Sequence, residues 1–369
     1  MPEPLKTPRT QFTASPLLQP FVDNGTLAGA VALAATKDQV ICLDTVGFAD
    51  IAAGRPMTAD TIFWIASQTK PMTATALMML VDEGGVNVGD PVEKYLPEFK
   101  GQMLLAEKDD DHALLRKPCH PITVREILSH TSGLPFQSPV ETPTFDMLPL
   151  RTAVLSYAAG PLAFEPGSRY EYSNAGTNTA GRIVEVVSGM AYEEFMRARL
   201  FGPLDMSNTT FVPDEKQAAL LAKAYKPGPG NAGLVETAIS QLSYPLTNPL
   251  RQPIPAGGLF SNARDVLRFC RMIMNGGELD GRRYLSESAV KQMTTKQTGD
   301  RVENQYGFGW DTSNATFGHG GAFSTNMRID PQRGLVTVFL VQHAGFPGDG
   351  GKCPEAFKQS LAEWFDAQA

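Results

Sequence analysis

The 369-residue chain lacks the features that mark several large protein classes. Its four cysteines, Cys42, Cys119, Cys270 and Cys353, lie far apart with no C-x-x-C pair, which excludes a disulfide framework and the common zinc spacings. No apolar run approaches the roughly 18 residues that a spanning helix needs, so no membrane is expected as partner. Long basic runs are absent, and Lys plus Arg (32) falls below Asp plus Glu (39) for a net charge of −7. That balance argues against nucleic acid as the main partner. The five histidines contain no H-E-x-x-H. The stretch Glu107 to His120, with Asp109, Asp110, Asp111, His112 and Cys119, reads as a solvated acidic loop before it reads as a metal site, and neither metal nor cofactor is expected. There is no G-x-S-x-G, no Walker A and no G-x-G-x-x-G behind a strand, which removes the α/β-hydrolase elbow and nucleotide binding. The first residues, Met1 to Lys6, lack the apolar core of a signal peptide. As the chain stands a cytoplasmic location is expected, with the periplasm or secretion as the alternative if an export signal was trimmed.

What remains is an ordinary globular composition, 42% apolar and 19% charged. A chain of this size buries roughly three quarters of its unfolded surface and needs no covalent staples. Ala30–Ala35 and Val40–Val46, joined across Lys37-Asp38, read as a β-hairpin. Ala74, Leu77, Met78 and Val81 fall on one helical face that Gly84-Gly85 ends. A second helical face carries Ala180, Ile183, Val184 and Val187, with Gly189 near its end. Phe323–Ile329 and Leu335–Val341 are β-rich runs joined by a turn at Asp330–Gly334, and a last amphipathic helix covers about Glu355–Phe365. Both ends of the chain carry hairpin and helix signals; the middle is rich in Pro and Gly. The expected architecture is α+β. Residues 1–90 and 250–369 form an antiparallel sheet domain flanked by helices, and 91–249 form an inserted, mostly helical domain with a cleft between the two.

Three short motifs carry candidate chemistry. In Ser67-Gln68-Thr69-Lys70 a hydroxyl and an amine three residues apart share a helix face. Burial lowers a Lys pKa, so the neutral amine could take the Ser67 proton. Pro71 has no N–H for the Ser67 carbonyl, which sets Ser67 at or before the first helical residue; against this, a residue before proline is biased away from helical angles, and Lys70 is such a residue. S-x-x-K arises by chance, and Ser288–Lys291 repeats it in a polar stretch read as a solvated helix face. Tyr172-Ser173-Asn174 is the only Y-x-N among nine tyrosines. It offers a phenol, able to relay protons if a cation lowers its pKa, and an amide for a substrate; alone it also reads as a turn with a helix cap. His319-Gly320-Gly321-Ala322, at the start of the strand through Ile329, could turn the Ala322 N–H together with that of Ser67 toward an oxyanion; alone it also reads as a glycine-rich hairpin entry. His130 reads as a structural hydrogen-bonded residue, Trp64 and Trp310 as packing residues, and Tyr170 as a possible pocket wall beside Tyr172.

Taken in order, Ser-x-x-Lys, Tyr-x-Asn and His-Gly-Gly resemble the motif series of the serine β-lactamase-like and penicillin-binding-protein superfamily. The branch with Tyr in the second motif is the most similar: class C β-lactamases, D-alanyl-D-alanine carboxypeptidases and family VIII carboxylesterases. Gly47–Asp50, Leu128–Leu134, Pro255–Leu259 and Tyr306–Trp310 share the resemblance, which covers about residues 25–365. It implies an antiparallel sheet with an inserted helical domain. It implies that Ser67 attacks an acyl carbonyl, that Lys70 and Tyr172 carry its proton to the leaving group, and that the N–H groups of Ser67 and Ala322 hold the oxyanion. Asn174 would orient substrate, and His319, Gly320 and Gly321 would line the site. The usual third motif begins Lys-Thr; here it is His319-Gly320. A His is mostly neutral at pH 7, so the hold on a substrate carboxylate weakens. The expectation is therefore hydrolysis of short uncharged acyl esters, with weak β-lactam turnover at most. A D-stereospecific peptidase or amidase is the alternative enzyme, and a catalytically silent binding module on the same fold the non-enzymatic one. A small ester or amide is the expected partner; the oligomeric state is open.

Overall fold

The computed structural model describes residues 11–368. Its centre is a six-stranded antiparallel sheet in the order Phe317–Gly320, Asn326–Asp330, Leu335–Leu340, Gly29–Thr36, Val40–Asp50, Arg55–Pro56. Strands from the two ends of the chain meet in the middle, where Val31 pairs with Leu340 and Thr36 with Leu335. Strand alternation separates two cores. Val31, Leu33 and Ala35 face the larger one. Ala30, Ala32 and Ala34 face the helices Ser15–Asp23 and Cys353–Asp366, which supply Leu18, Phe357, Leu361 and Phe365. A row of alanines lets these helices approach the sheet closely. Asp44 anchors the first of them, accepting from the N–H of Ala14 and of Ser15.

The helix Thr69–Asp82 ends at Glu83, ahead of Gly84-Gly85. One apolar face was expected, yet every residue from Thr69 to Leu80 is buried. A helix buried all round needs its polar side chains satisfied internally. Thr75 Oγ1 donates to the Pro71 carbonyl and Thr73 Oγ1 to that of Pro255. The helix Asn174–Ser188 starts at a Ser173 cap that accepts the Gly176 N–H at 2.9 Å, so the capping reading of Tyr-Ser-Asn holds beside any other. It packs on the Pro255–Leu259 segment at Gly181, where a Cβ would stand 2.7 Å from Pro255 Cβ. A short antiparallel ribbon, Phe63–Trp64 against Phe260–Ser261, leads into Ser67.

Two local expectations are corrected. Lys70 is helical despite the following Pro71, because Pro71 falls in the first turn, where a missing N–H has no helical partner to lose. The third motif does not open the strand through Ile329. His319 and Gly320 end the strand Phe317–Gly320, a turn follows, and the next strand is Asn326–Asp330. Gly321 N–H closes that turn onto the Thr325 carbonyl at 2.8 Å, and Ser324 sits at φ +66°, which a continuous strand does not allow. Ser288 and Lys291, the second S-x-x-K, are exposed on the short helix Glu287–Met293, while Ala289, Val290 and Met293 are buried. Glu107 to His120 spans an exposed hairpin, and among the described residues no three of His, Cys, Asp and Glu gather as a metal site. Among the described residues no helix is long and apolar enough to cross a membrane.

Candidate active site

Ser67 lies in a single 3-10 turn, Ala66–Gln68, that feeds directly into the helix Thr69–Asp82. The turn is tight: Ala66 is held at φ +47°, a conformation that costs a non-glycine residue about 1–2 kcal/mol. One turn on, Lys70 is fully buried. Its Nζ lies 3.3 Å from Ser67 Oγ and donates to Asn174 Oδ1 at 2.7 Å and to the Ala256 carbonyl at 2.7 Å. Among the described residues no carboxylate accepts from it, and burial pushes its pKa well below the ordinary lysine value. The amine is therefore neutral across a range in which an exposed lysine is charged.

Asn174 opens the helix Asn174–Ser188, and Tyr172 lies two residues before it. Lys70 Nζ stands 4.5 Å from the centroid of the Tyr172 ring. Burial raises the Tyr172 pKa above its ordinary value, with a hydrogen bond to Ser67 acting in the opposite sense. The condition of a pKa-lowering cation is not met: burial dominates, and the phenol keeps its proton at neutral pH. His130 sets the backbone here. Its Nδ1 accepts the Ser173 N–H at 3.1 Å, its carbonyl accepts the Glu171 N–H at 2.9 Å, and its ring lies 4.4 Å from that of Tyr172. It is buried and neutral, its pKa pushed down first by burial and then by Lys70 and His319. Phe136 stacks on the other side of Tyr172 at 6.4 Å and is half exposed.

The third motif reaches the site through the sheet edge. His319 Nδ1 is 2.6 Å from the Gly320 carbonyl, which can only accept, so that nitrogen carries the proton. Nε2 is then an acceptor, 3.0 Å from the Tyr306 phenol and 3.5 Å from that of Tyr172. Burial, followed by the field of Lys70, lowers the His319 pKa to about 4, so the ring is neutral at pH 7. Gly321 is required by its own chain: a Cβ there would stand 2.5 Å from the Ile65 carbonyl oxygen. This close approach brings the turn carrying Ala322 against the segment that enters Ser67. At Gly320 a Cβ would meet nothing nearer than 3.6 Å.

Ser67, Lys70, Tyr172, Asn174 and His319 are thus joined by a continuous set of contacts, with Ala322 exposed on the adjoining turn. Beyond Tyr172 and His319 opens a cavity of about 520 Å³, walled also by Tyr170, Tyr306 and Gly320. Trp64 braces the site, donating from Nε1 to the Gly257 carbonyl at 2.7 Å, whereas Trp310 is buried in the core against Phe269. The roles of Ala256 and Tyr306 escaped sequence reasoning, although each lies in a stretch that shares the resemblance. One acts through a carbonyl, which every residue has. The other is one tyrosine among nine, in a stretch marked only by resemblance.

A hydroxyl at a helix start, a buried amine of lowered pKa within reach of it and a phenol beside both, on an antiparallel sheet with helices, are the parts of a serine hydrolase site. A model of the Beta-lactamase family matches residues 15–360, and the chain belongs to that family. Esterase EstB of Burkholderia gladioli is 28% identical over 381 residues, covering 91% of this chain and 91% of EstB. Penicillin-binding protein 4 of Amycolatopsis lactamdurans is 29% identical over 302 residues, covering 78% of this chain and 74% of its own. The solved structure of EstCE1, a hydrolase with promiscuous acyltransferase activity, shares the fold with a TM-score of 0.76 at 24% identity, covering 94% of this chain and 97% of EstCE1.

Proposed function

We propose that this protein is a carboxylesterase that cleaves short, uncharged acyl esters through an acyl-enzyme on Ser67. The observation that carries the reading is the hydrogen bonding of Lys70. A neutral amine has two N–H groups and one lone pair. Asn174 Oδ1 and the Ala256 carbonyl, both at 2.7 Å, take the two hydrogens, and the lone pair is left for the Ser67 hydroxyl at 3.3 Å. Ser67 Oγ attacks the acyl carbon as its proton passes to Lys70 Nζ. The carbonyl oxygen becomes an oxyanion against the N–H groups of Ser67 and Ala322. The oxyanion collapses, the ester C–O bond breaks, and the proton reaches the leaving alkoxide by way of the Tyr172 phenol, which accepts one proton as it gives up another. Water repeats the sequence on the acyl-enzyme and restores Ser67. Asn174 has its amide oxygen engaged by Lys70, so its part in orienting substrate falls to its nitrogen.

Ester is favoured over peptide because the third motif presents a neutral imidazole where a cation would bind a carboxylate. EstB, an esterase by name, supports the same choice; penicillin-binding protein 4 supports the peptidase alternative. The test is a substrate panel of p-nitrophenyl acetate, p-nitrophenyl butyrate and a D-Ala-D-Ala peptide, with mass detection of acyl-Ser67. Faster turnover of the esters with an adduct on Ser67 is expected. Clear preference for the peptide reverses the substrate choice, and near wild-type turnover by Ser67→Ala ends the assignment. Failure of Ser67 to react with a fluorophosphonate would point to the silent binding module.

A further inference from the structure

Three consecutive carbonyls of Pro255–Gly257 are each held by a side chain. Thr73 Oγ1 donates to Pro255 O at 2.6 Å, Lys70 Nζ to Ala256 O at 2.7 Å, and Trp64 Nε1 to Gly257 O at 2.7 Å. The fourth hold is on the N–H of Ala256, which donates to Asn178 Oδ1 at 3.0 Å. Asn178 is buried and lies four residues beyond Asn174 on the same helix, so the two amides share a face. Asn174 takes one hydrogen of Lys70 directly. Asn178 fixes the residue whose carbonyl takes the other.

Asn178 is itself fixed from behind. Its Nδ2 donates to the Tyr157 phenol at 3.0 Å, and that phenol donates to Glu141 Oε1 at 2.5 Å. The other Glu141 oxygen accepts the Ser138 N–H at 2.7 Å. Tyr157 and Glu141 are buried too. A flipped Asn178 amide would set its NH₂ against the Ala256 N–H, donor to donor, so only one orientation satisfies the chain. Among the described residues none of these three side chains hydrogen-bonds to Ser67, Lys70 or Tyr172, and their hydrogen-bonded link to Lys70 runs through Ala256.

We propose that Asn178, backed by Tyr157 and Glu141, is a positioning residue for Lys70. It holds the Ala256 carbonyl where it accepts one amine hydrogen, and so aims the lone pair at Ser67. This rests on the reading of Lys70 as the base. Misplacement of a reacting group by about 1 Å can cost on the order of a hundredfold in rate.

The experiment measures p-nitrophenyl butyrate hydrolysis by Asn178→Leu and Tyr157→Phe across pH, with rates normalised to sites titrated by a fluorophosphonate. For Asn178→Leu, kcat per titrated site falls roughly tenfold or more with KM within about twofold. The acidic limb of kcat moves to lower pH, because a displaced carbonyl no longer favours the ammonium form. Tyr157→Phe, which loses one oxygen and keeps the ring, shows the same changes at about two- to fivefold and carries the test if Asn178→Leu does not fold. The double variant is no slower than Asn178→Leu, since both act through one chain of bonds. A variant that is folded, with wild-type kcat per site and an unmoved limb, overturns the inference, as does a change confined to KM. Ser67→Ala runs alongside. If it retains hydrolysis, the reading of the site fails; if it is inert while Asn178→Leu is unimpaired, only the positioning role fails.

Discussion

The phenol of Tyr306 lies 3.0 Å from Nε2 of His319, closer than the 3.5 Å of Tyr172 to the same atom. Nδ1 carries the imidazole proton, so Nε2 has a single lone pair for two phenols. Tyr306 occupies it, and the Tyr172 proton stays free for Ser67. Tyr306→Phe should let Tyr172 donate to His319 instead and lower kcat by about three- to tenfold with little change in KM. Steady-state kinetics on p-nitrophenyl butyrate reads this directly. An unchanged kcat would show that Tyr172 does not compete for His319.

The pH profile tests the state of Lys70. Its pKa lies well below the ordinary value because the amine is buried. The active form is unprotonated, so activity is lost as pH falls through that lowered pKa and is full above it. A plot of kcat/KM against pH should therefore have its acidic limb well under the ordinary lysine range. Lys70→Arg, which cannot lose its proton, should lose about a hundredfold or more at every pH. A limb near pH 10 would mean that Lys70 stays charged through neutrality and that burial does not lower its pKa.

Adjacent glycines of the third motif should respond differently. Gly321→Ala sets a methyl group against the Ile65 carbonyl oxygen and shifts the turn bearing Ala322. It should lower both kcat and thermal stability. Gly320→Ala meets nothing nearer than 3.6 Å and should keep wild-type stability. Thermal melts of the two variants side by side decide it; equal losses would contradict the steric account.

Asp265 should tie stability to pH. It is buried, and desolvation raises its pKa from 3.8 to about 6 despite hydrogen bonds from Thr209 Oγ1 at 2.9 Å and the Asn208 N–H at 2.8 Å. The folded state therefore holds this proton more tightly than the unfolded chain. The contribution is complete below pH 3.8 and is lost as pH rises through 6. At 1.36 kcal/mol per unit, the loss is on the order of 3 kcal/mol. Asp265→Asn should remove this part of the pH dependence between about pH 4 and pH 7 in urea melts. Parallel curves for wild type and variant would refute it.

Much of the fold was legible because period and punctuation agree. The hairpin around Lys37-Asp38, the helix ending ahead of Gly84-Gly85 and the pairing across Asp330–Gly334 all follow from local pattern. The Gly-Gly of the third motif misled, since glycine freedom serves a turn as readily as an open strand, and only the contact of Gly321 with Ile65 distinguishes them. For the site, Ser67, Lys70, Tyr172 and His319 could be singled out because each sits in a short motif of chemically apt residues. Ala256 could not, because a carbonyl leaves no mark on residue choice.

The sequence by itself determined the secondary elements, the antiparallel α+β class and the residue types able to do acyl chemistry. These are matters of local propensity and side-chain identity. Tertiary structure alone decided that the Lys70 pKa is pushed down, that Tyr172 keeps its proton and that the His319 lone pair faces two phenols. Each of these depends on desolvation and on partners more than 100 residues away, from Asn174 and Ala256 at Lys70 to Tyr172 at His319. A linear chain sets no dielectric around a charge; only packing does.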